Sequence, residues 1–217
     1  MILIALAAAA AATLPAQCTG ATNRVIIRQC EAAASVAAGN YGKAADAFEL
    51  AAREAETLRD PASSGLWLQA GNAALAANDH QRALPFLNAA IARGNLAGEE
   101  LGEAYLDRAR AYAGLGKLVE ARADLDQATR LVPADPLGWL LSATLSRRLN
   151  DLGRARSDIQ RAAELAPDDS GVALEAGNIA ILSGNEAAAR TAWQAAVRLQ
   201  PDSPSAKAAQ DNLARLQ

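Results

Sequence analysis

Few residues in this chain have the chemistry for catalysis or metal binding, and they are scattered. His80 is the only histidine and lies in the turn Asn78-Asp79-His80. The two cysteines, Cys18 and Cys30, fall short of the four clustered ligands of a structural zinc site. No glycine-rich phosphate loop, no nucleophile elbow and no pocketed pair of carboxylates can be placed, so the convergent groups that nucleophilic or metal chemistry needs are missing. The reading is a non-enzyme with no metal and no cofactor. The charged residues that invite a binding role are Arg110, Arg147 and Arg148, set near Glu103 and Asp107. They read either as solvated helix ends balanced by those acids, or as a clamp for an acidic segment or a terminal carboxylate. With a net charge of −3 and a pI of about 5.3, the chain has no basic face for a phosphate backbone, and nucleic acid is not an expected partner.

The chain opens with MILIALAAAAAATLPA, which carries no charged side chain and runs apolar from Ile2 to Leu14. A bilayer span takes roughly 20 apolar residues, so this run suits the core of a signal peptide over residues 1–16, cut ahead of Gln17. The usual Lys or Arg before the apolar run is absent, and an uncleaved anchor is the alternative. In an exported chain, Cys18 and Cys30 are expected to form one disulfide that ties the segment 17–24 to the first helix. Closing so small a loop stabilises by about 3 kcal/mol in the chain-entropy model. Lipidation of Cys18 competes with that reading, although Gln17 stands where a bacterial lipobox has Gly or Ala. The expected location is periplasmic, with a membrane-anchored form facing the periplasm as the alternative.

The elements that must position any binding groups follow from a period. Pro133, Pro167 and Pro201 are 34 residues apart in each step, as are Ala121, Ala155 and Ala189, and Ala128, Ala162 and Ala196. A fixed period of this length marks stacked helical repeats rather than one globular core. Apolar residues at helical spacing divide the chain into units at 25–58, 64–97, 102–135, 136–169 and 170–203, each a helix pair. The turns within the pairs are expected at Gly39-Asn40, Asn78-Asp79, Leu115-Gly116-Lys117, Asn150-Asp151 and Gly184-Asn185. Ser63 or Ser64 is expected to cap the helix after Pro61, and extra residues around Gly98 precede the third unit. Residues 204–217 read as a last helix whose polar face, from Lys207 to Arg215, covers the open end of the stack. The hydrophobic fraction of 51% is mostly alanine, with aromatics only 4%, so helices are expected to pack closely with few large anchors.

The columns formed by this period resemble the tetratricopeptide repeat. The small residue of the first helix is Ala32, Gly71, Ala109, Ala143 and Gly177. The second helix opens with Ala44, Ala83, Ala121, Ala155 and Ala189, and continues with the large Phe48, Leu87, Leu125, Ile159 and Trp193. It then has Ala51, Ala90, Ala128, Ala162 and Ala196. The first unit departs most, since Arg28 stands where Trp67, Tyr105 and Trp139 stand in the next three.

The resemblance implies an all-α fold, a right-handed superhelix of antiparallel helix pairs with a C-terminal capping helix, whose first helices line a concave groove. In that geometry Leu68, Leu106, Leu140 and Leu174 face the groove, as do Asn72, Arg110, Thr144 and Asn178 four residues further on, with Arg147 nearby. The leucines read as an apolar peptide floor, as packing between repeats, or as a self-association surface. The asparagines offer both donor and acceptor to an extended peptide. The carboxylate clamp of chaperone-binding members does not carry over, because leucine mostly replaces its lysines. The expected function is a protein-binding scaffold with a protein or peptide partner, and a self-associating homodimer is the alternative.

Overall fold

The computed structural model describes residues 18–216, so the expected leader over 1–16 lies outside the described residues. Among the described residues eleven α-helices follow one another without a strand. They are α1 (Arg24–Ala37), α2 (Tyr41–Thr57), α3 (Ser63–Ala76), α4 (His80–Ala92), α5 (Gly98–Gly114), α6 (Leu118–Leu131), α7 (Pro136–Arg148), α8 (Leu152–Leu165), α9 (Ser170–Leu182), α10 (Glu186–Leu199) and α11 (Pro204–Ala214). The described residues form two compact units, the first ending at Asp124 and the second beginning at Leu125, so that α6 begins in the first and ends in the second. No helix among the described residues is long and apolar enough to cross a membrane.

One local device sets the reversals. Each helix pair turns through a single left-handed residue: Gly39 (φ 71°), Asn78 (60°), Gly116 (76°), Asn150 (60°) and Gly184 (77°). The next residue donates its N–H five residues back, from Asn40 to Ser35 (2.8 Å), Asp79 to Ala74 (2.9 Å), Lys117 to Tyr112 (2.9 Å), Asp151 to Ser146 (2.8 Å) and Asn185 to Ala180 (3.0 Å). This closure satisfies carbonyls that the helix end leaves over, and Gly or Asn adopts it at least cost. The side chains of Asp79, Asp151 and Asn185 then accept from the N–H three residues on, at 3.0, 3.2 and 3.0 Å. A two-residue sequence therefore ends one helix and starts the next.

Two boundaries differ from the sequence expectation. Neither Ser63 nor Ser64 caps α3: both lie inside it, 5% and 1% exposed, and the N-cap position is Ala62, with no side-chain bond. The preceding turn is held instead by Asp60, whose Oδ1 accepts from Ala62 N at 2.9 Å. The first helix of the third repeat also begins ahead of the expected bound at residue 102. Gly98 to Leu101 form the first turn of α5, where Glu99 and Glu100 suit the positive end of the helix dipole.

Packing in each unit pairs a small residue on one helix with a large one on its partner. A Cβ added at Gly71 would lie 2.6 Å from Leu87, and one at Gly177 would lie 2.4 Å from the Trp193 ring. In the second unit Ala143 shares a core with Ala155, Ile159, Ala162, Val172 and Ile179. A further core joins Ala189, Trp193, Ala196 and Ala209 and carries α11, whose Lys207, Gln210, Asp211 and Arg215 stay exposed. In the first unit Trp67 packs 5.6 Å from Phe86 among alanines of α2, α3 and α4. Because the Trp193 indole is hydrogen-bonded and buried, Gly177→Ala is expected to lower stability by about 1–3 kcal/mol. Thermal melting checks this, and an unchanged melting temperature would refute the close approach.

Candidate functional site

The sequence columns meet on α7 and α9 of the second unit. Leu140 is half-buried and packs at the edge of the Ala143–Ile159 core, and Leu174 is half-buried against the Trp193 core. Thr144 turns its hydroxyl back to the Leu140 carbonyl at 3.0 Å. Arg147 donates to Glu175 through Nε (2.6 Å) and Nη2 (3.3 Å). Glu175 is 6% exposed, and burying its charge without a partner would be very costly. Asn178 completes the arrangement: its Nδ2 donates to Glu175 at 3.2 Å, and its Oδ1 accepts from Trp193 Nε1 and Asn212 Nδ2, both at 3.1 Å.

Arg147 is thus held by Glu175, and Asn178 is engaged by Trp193 of α10 and Asn212 of α11. Glu175 was missed in the sequence. Its signal is positional: it follows the column leucine Leu174 as Asp107 follows Leu106, and in both places an acid is buried.

The first unit brings together Leu68, Asn72, Leu106 and Arg110 on α3 and α5. Leu68 and Leu106 are each 6% exposed, so here the packing role expected for the leucines applies. Arg110 donates to Asp107 at 2.8 Å while its own side chain stays 47% exposed. Asp107 is buried, and that burial pushes its carboxyl up to about 6; Arg110 opposes the rise and Glu103 adds to it. Asn72 donates to Glu103 Oε1 at 3.4 Å, and its own Oδ1 is buried without a hydrogen-bond partner.

The remaining chemistry-bearing residues are accounted for by packing and pairing. His80 lies so close to α5 that a Cβ at Gly114 would fall 2.4 Å from its ring. Arg108 grips the buried Asp124 through two bonds of 2.7 and 2.8 Å, a pairing that raises the guanidinium pKa. Arg154 bonds Asp158 at 3.2 Å and also pairs with Asp126. The Cys18 and Cys30 sulfurs stand 1.94 Å apart with Cα atoms 5.7 Å apart, which is disulfide geometry. Among the described residues no three of His, Cys, Asp or Glu are grouped to hold a metal.

A family model described as tetratricopeptide repeat matches residues 68–136, 106–170 and 140–204, more than half of the chain. Comparison with curated proteins finds no match. Among solved structures, the chain resembles YrrB, described as a tetratricopeptide repeat protein with an unusual peptide-binding site. The identity is 17%, the TM-score 0.65, and 90% of this chain and 96% of that chain are covered. It resembles MamA from Desulfovibrio magneticus RS-1 at 15% identity and a TM-score of 0.71, covering 84% and 98%. PilF from Pseudomonas aeruginosa is similar at 16% identity and a TM-score of 0.67, covering 85% and 82%. At these identities the likeness is one of fold.

The buried acid makes a pH-dependent prediction. The Asp107 carboxyl is raised to about 6 in the folded chain, above its unfolded value of about 3.9, so the folded state binds its proton more tightly. Its favourable contribution is full below the unfolded value and is lost as pH rises through 6. Asp107→Asn removes that dependence. The stability of the variant relative to the native chain should therefore climb between pH 4 and pH 7, by on the order of 2 kcal/mol. Melting curves of both proteins across that range measure it, and a flat difference would contradict the assignment.

Proposed function

Because the chain belongs to the tetratricopeptide repeat family, we propose that it is a non-catalytic protein-binding scaffold that receives an extended peptide or partner segment along the first helices of its repeats. The observation that carries this reading is the pair Leu140 and Leu174. They sit 34 residues apart at corresponding places on α7 and α9, and each is left half-buried beside a polar network that is already satisfied. A partly open apolar surface flanked by fixed polar groups suits an extended segment whose side chains alternate, one toward the leucines and one toward solvent. The peptide-binding site in the description of YrrB, a neighbour of similar fold, supports the same reading.

The scaffold works outside the cytoplasm, in the cell envelope. The uncharged apolar run from Ile2 to Leu14 supports export, as does the disulfide geometry of Cys18 and Cys30, since such bonds persist in oxidising compartments.

The test is photo-crosslinking in cells, with a photoreactive residue at position 140. One dominant foreign protein captured there is the expected result. Capture of the protein's own chain would favour the homodimer instead, and no capture would contradict the reading. The intact mass of the purified chain is expected to lack residues 1–16 and to be lower by the two hydrogens lost in forming one disulfide. A full-length, reduced chain would contradict export.

A further inference from the structure

We propose that the inner face of the first unit holds a recognition site for a basic side chain of the bound segment, lysine or arginine, formed by Asn72 on α3 and Glu103 on α5. This rests on the peptide-binding reading above and adds the charge of the residue recognised. The first observation is an orphan acceptor. Asn72 is only 9% exposed, and its Oδ1 meets no donor, a costly state for a buried amide oxygen. The same amide donates to Glu103 Oε1 at 3.4 Å, so an unpartnered oxygen and a carboxylate lie side by side. A single cationic donor admitted beside Glu103 would find its second acceptor in the buried Oδ1 once the Asn72 amide turns toward it.

The second observation concerns charge. Gln69 and Asn72 are the polar groups that α3 brings to this face, and Glu103, Asp107 and Arg110 are those of α5. The guanidinium of Arg110 is taken by Asp107 at 2.8 Å, while Glu103 forms no ion pair among the described residues and has only the long bond from Asn72. The local sum is two carboxylates to one cation, and the uncompensated one is the partly exposed Glu103. An ammonium or guanidinium group carries donors and no acceptor, which suits the two acceptors, Asn72 Oδ1 and the Glu103 carboxylate, that this site offers. A terminal carboxylate would instead meet Glu103 with like charge.

The test is selection of a random twelve-residue peptide display library against the full chain, run in parallel on Glu103→Gln and Asn72→Ala, with helical circular dichroism confirming that both variants fold. Peptides sharing a Lys or Arg at one position should be enriched by the native chain. Exchange of that residue for Gln in a synthetic copy should weaken binding by on the order of tenfold, and both variants should lose the preference. Enrichment of peptides with no shared basic residue, or of the same basic peptides by all three proteins, would overturn the site while leaving the scaffold reading standing. No enrichment by any of the three would overturn both.

Discussion

The structure depends on placing carboxylates where water is scarce and holding each with an arginine. Asp107, Asp124, Asp158 and Glu175 are all buried, and each meets a guanidinium, from Arg110, Arg108, Arg154 and Arg147 respectively. An unpaired buried charge is far more costly than a paired one, so these contacts restrict where the helices can sit. Arg147 is fixed on α7 and Glu175 on α9, and their bond therefore sets the approach of successive first helices in the second unit. Arg82 does the same for second helices in the first unit, pairing from α4 with Asp46 and Glu49 of α2. A chain whose apolar content is mostly alanine has few large side chains to fix register, and charged pairs supply part of that specificity.

Apolar packing fixes the distance that the charged pairs leave open. At Leu87 and Trp193 the facing position is glycine, and a Cβ there would meet the large side chain; Ile159 shares its core with Ala143. The Trp193 indole then donates to Asn178, so a packing residue and the polar network of the inner face are one assembly. Of the arginines that could have marked an acid-binding groove, Arg147 is held by the buried Glu175, while Arg110 and Arg148 stay exposed. Leu140 and Leu174 in the second unit and Glu103 in the first are partly exposed.

The helix pairs were legible because their information is local and repeated. The Gly or Asn turn residue, the Asp or Asn that follows it and the alanine columns recur in sequence at the spacing of the repeat, and each has a conformational or steric cause. The start of α5 and the cap of α3 were misread for the opposite reason. Glycine and serine suit loops and caps as well as helix starts, and only the fold decides at Gly98, Ser63 and Ser64. The inner face was half legible. Periodicity sets Leu140 and Leu174 at corresponding places on α7 and α9, but a column does not say how deeply a residue's neighbours cover it. Pairing partners are harder still, because Glu175 reaches Arg147 across 28 residues and no local pattern announces it.

The central claim is that Arg147 is bound within the fold by the buried Glu175. The most direct measurement is a double-mutant cycle on Arg147→Met and Glu175→Gln, with stability read by denaturant unfolding. Mutual dependence through a largely buried pair predicts a coupling energy of about 2 kcal/mol, with the double variant more stable than the sum of the single changes implies. A coupling near zero would mean that Arg147 is free in solution, and the acid-binding reading of that face would return.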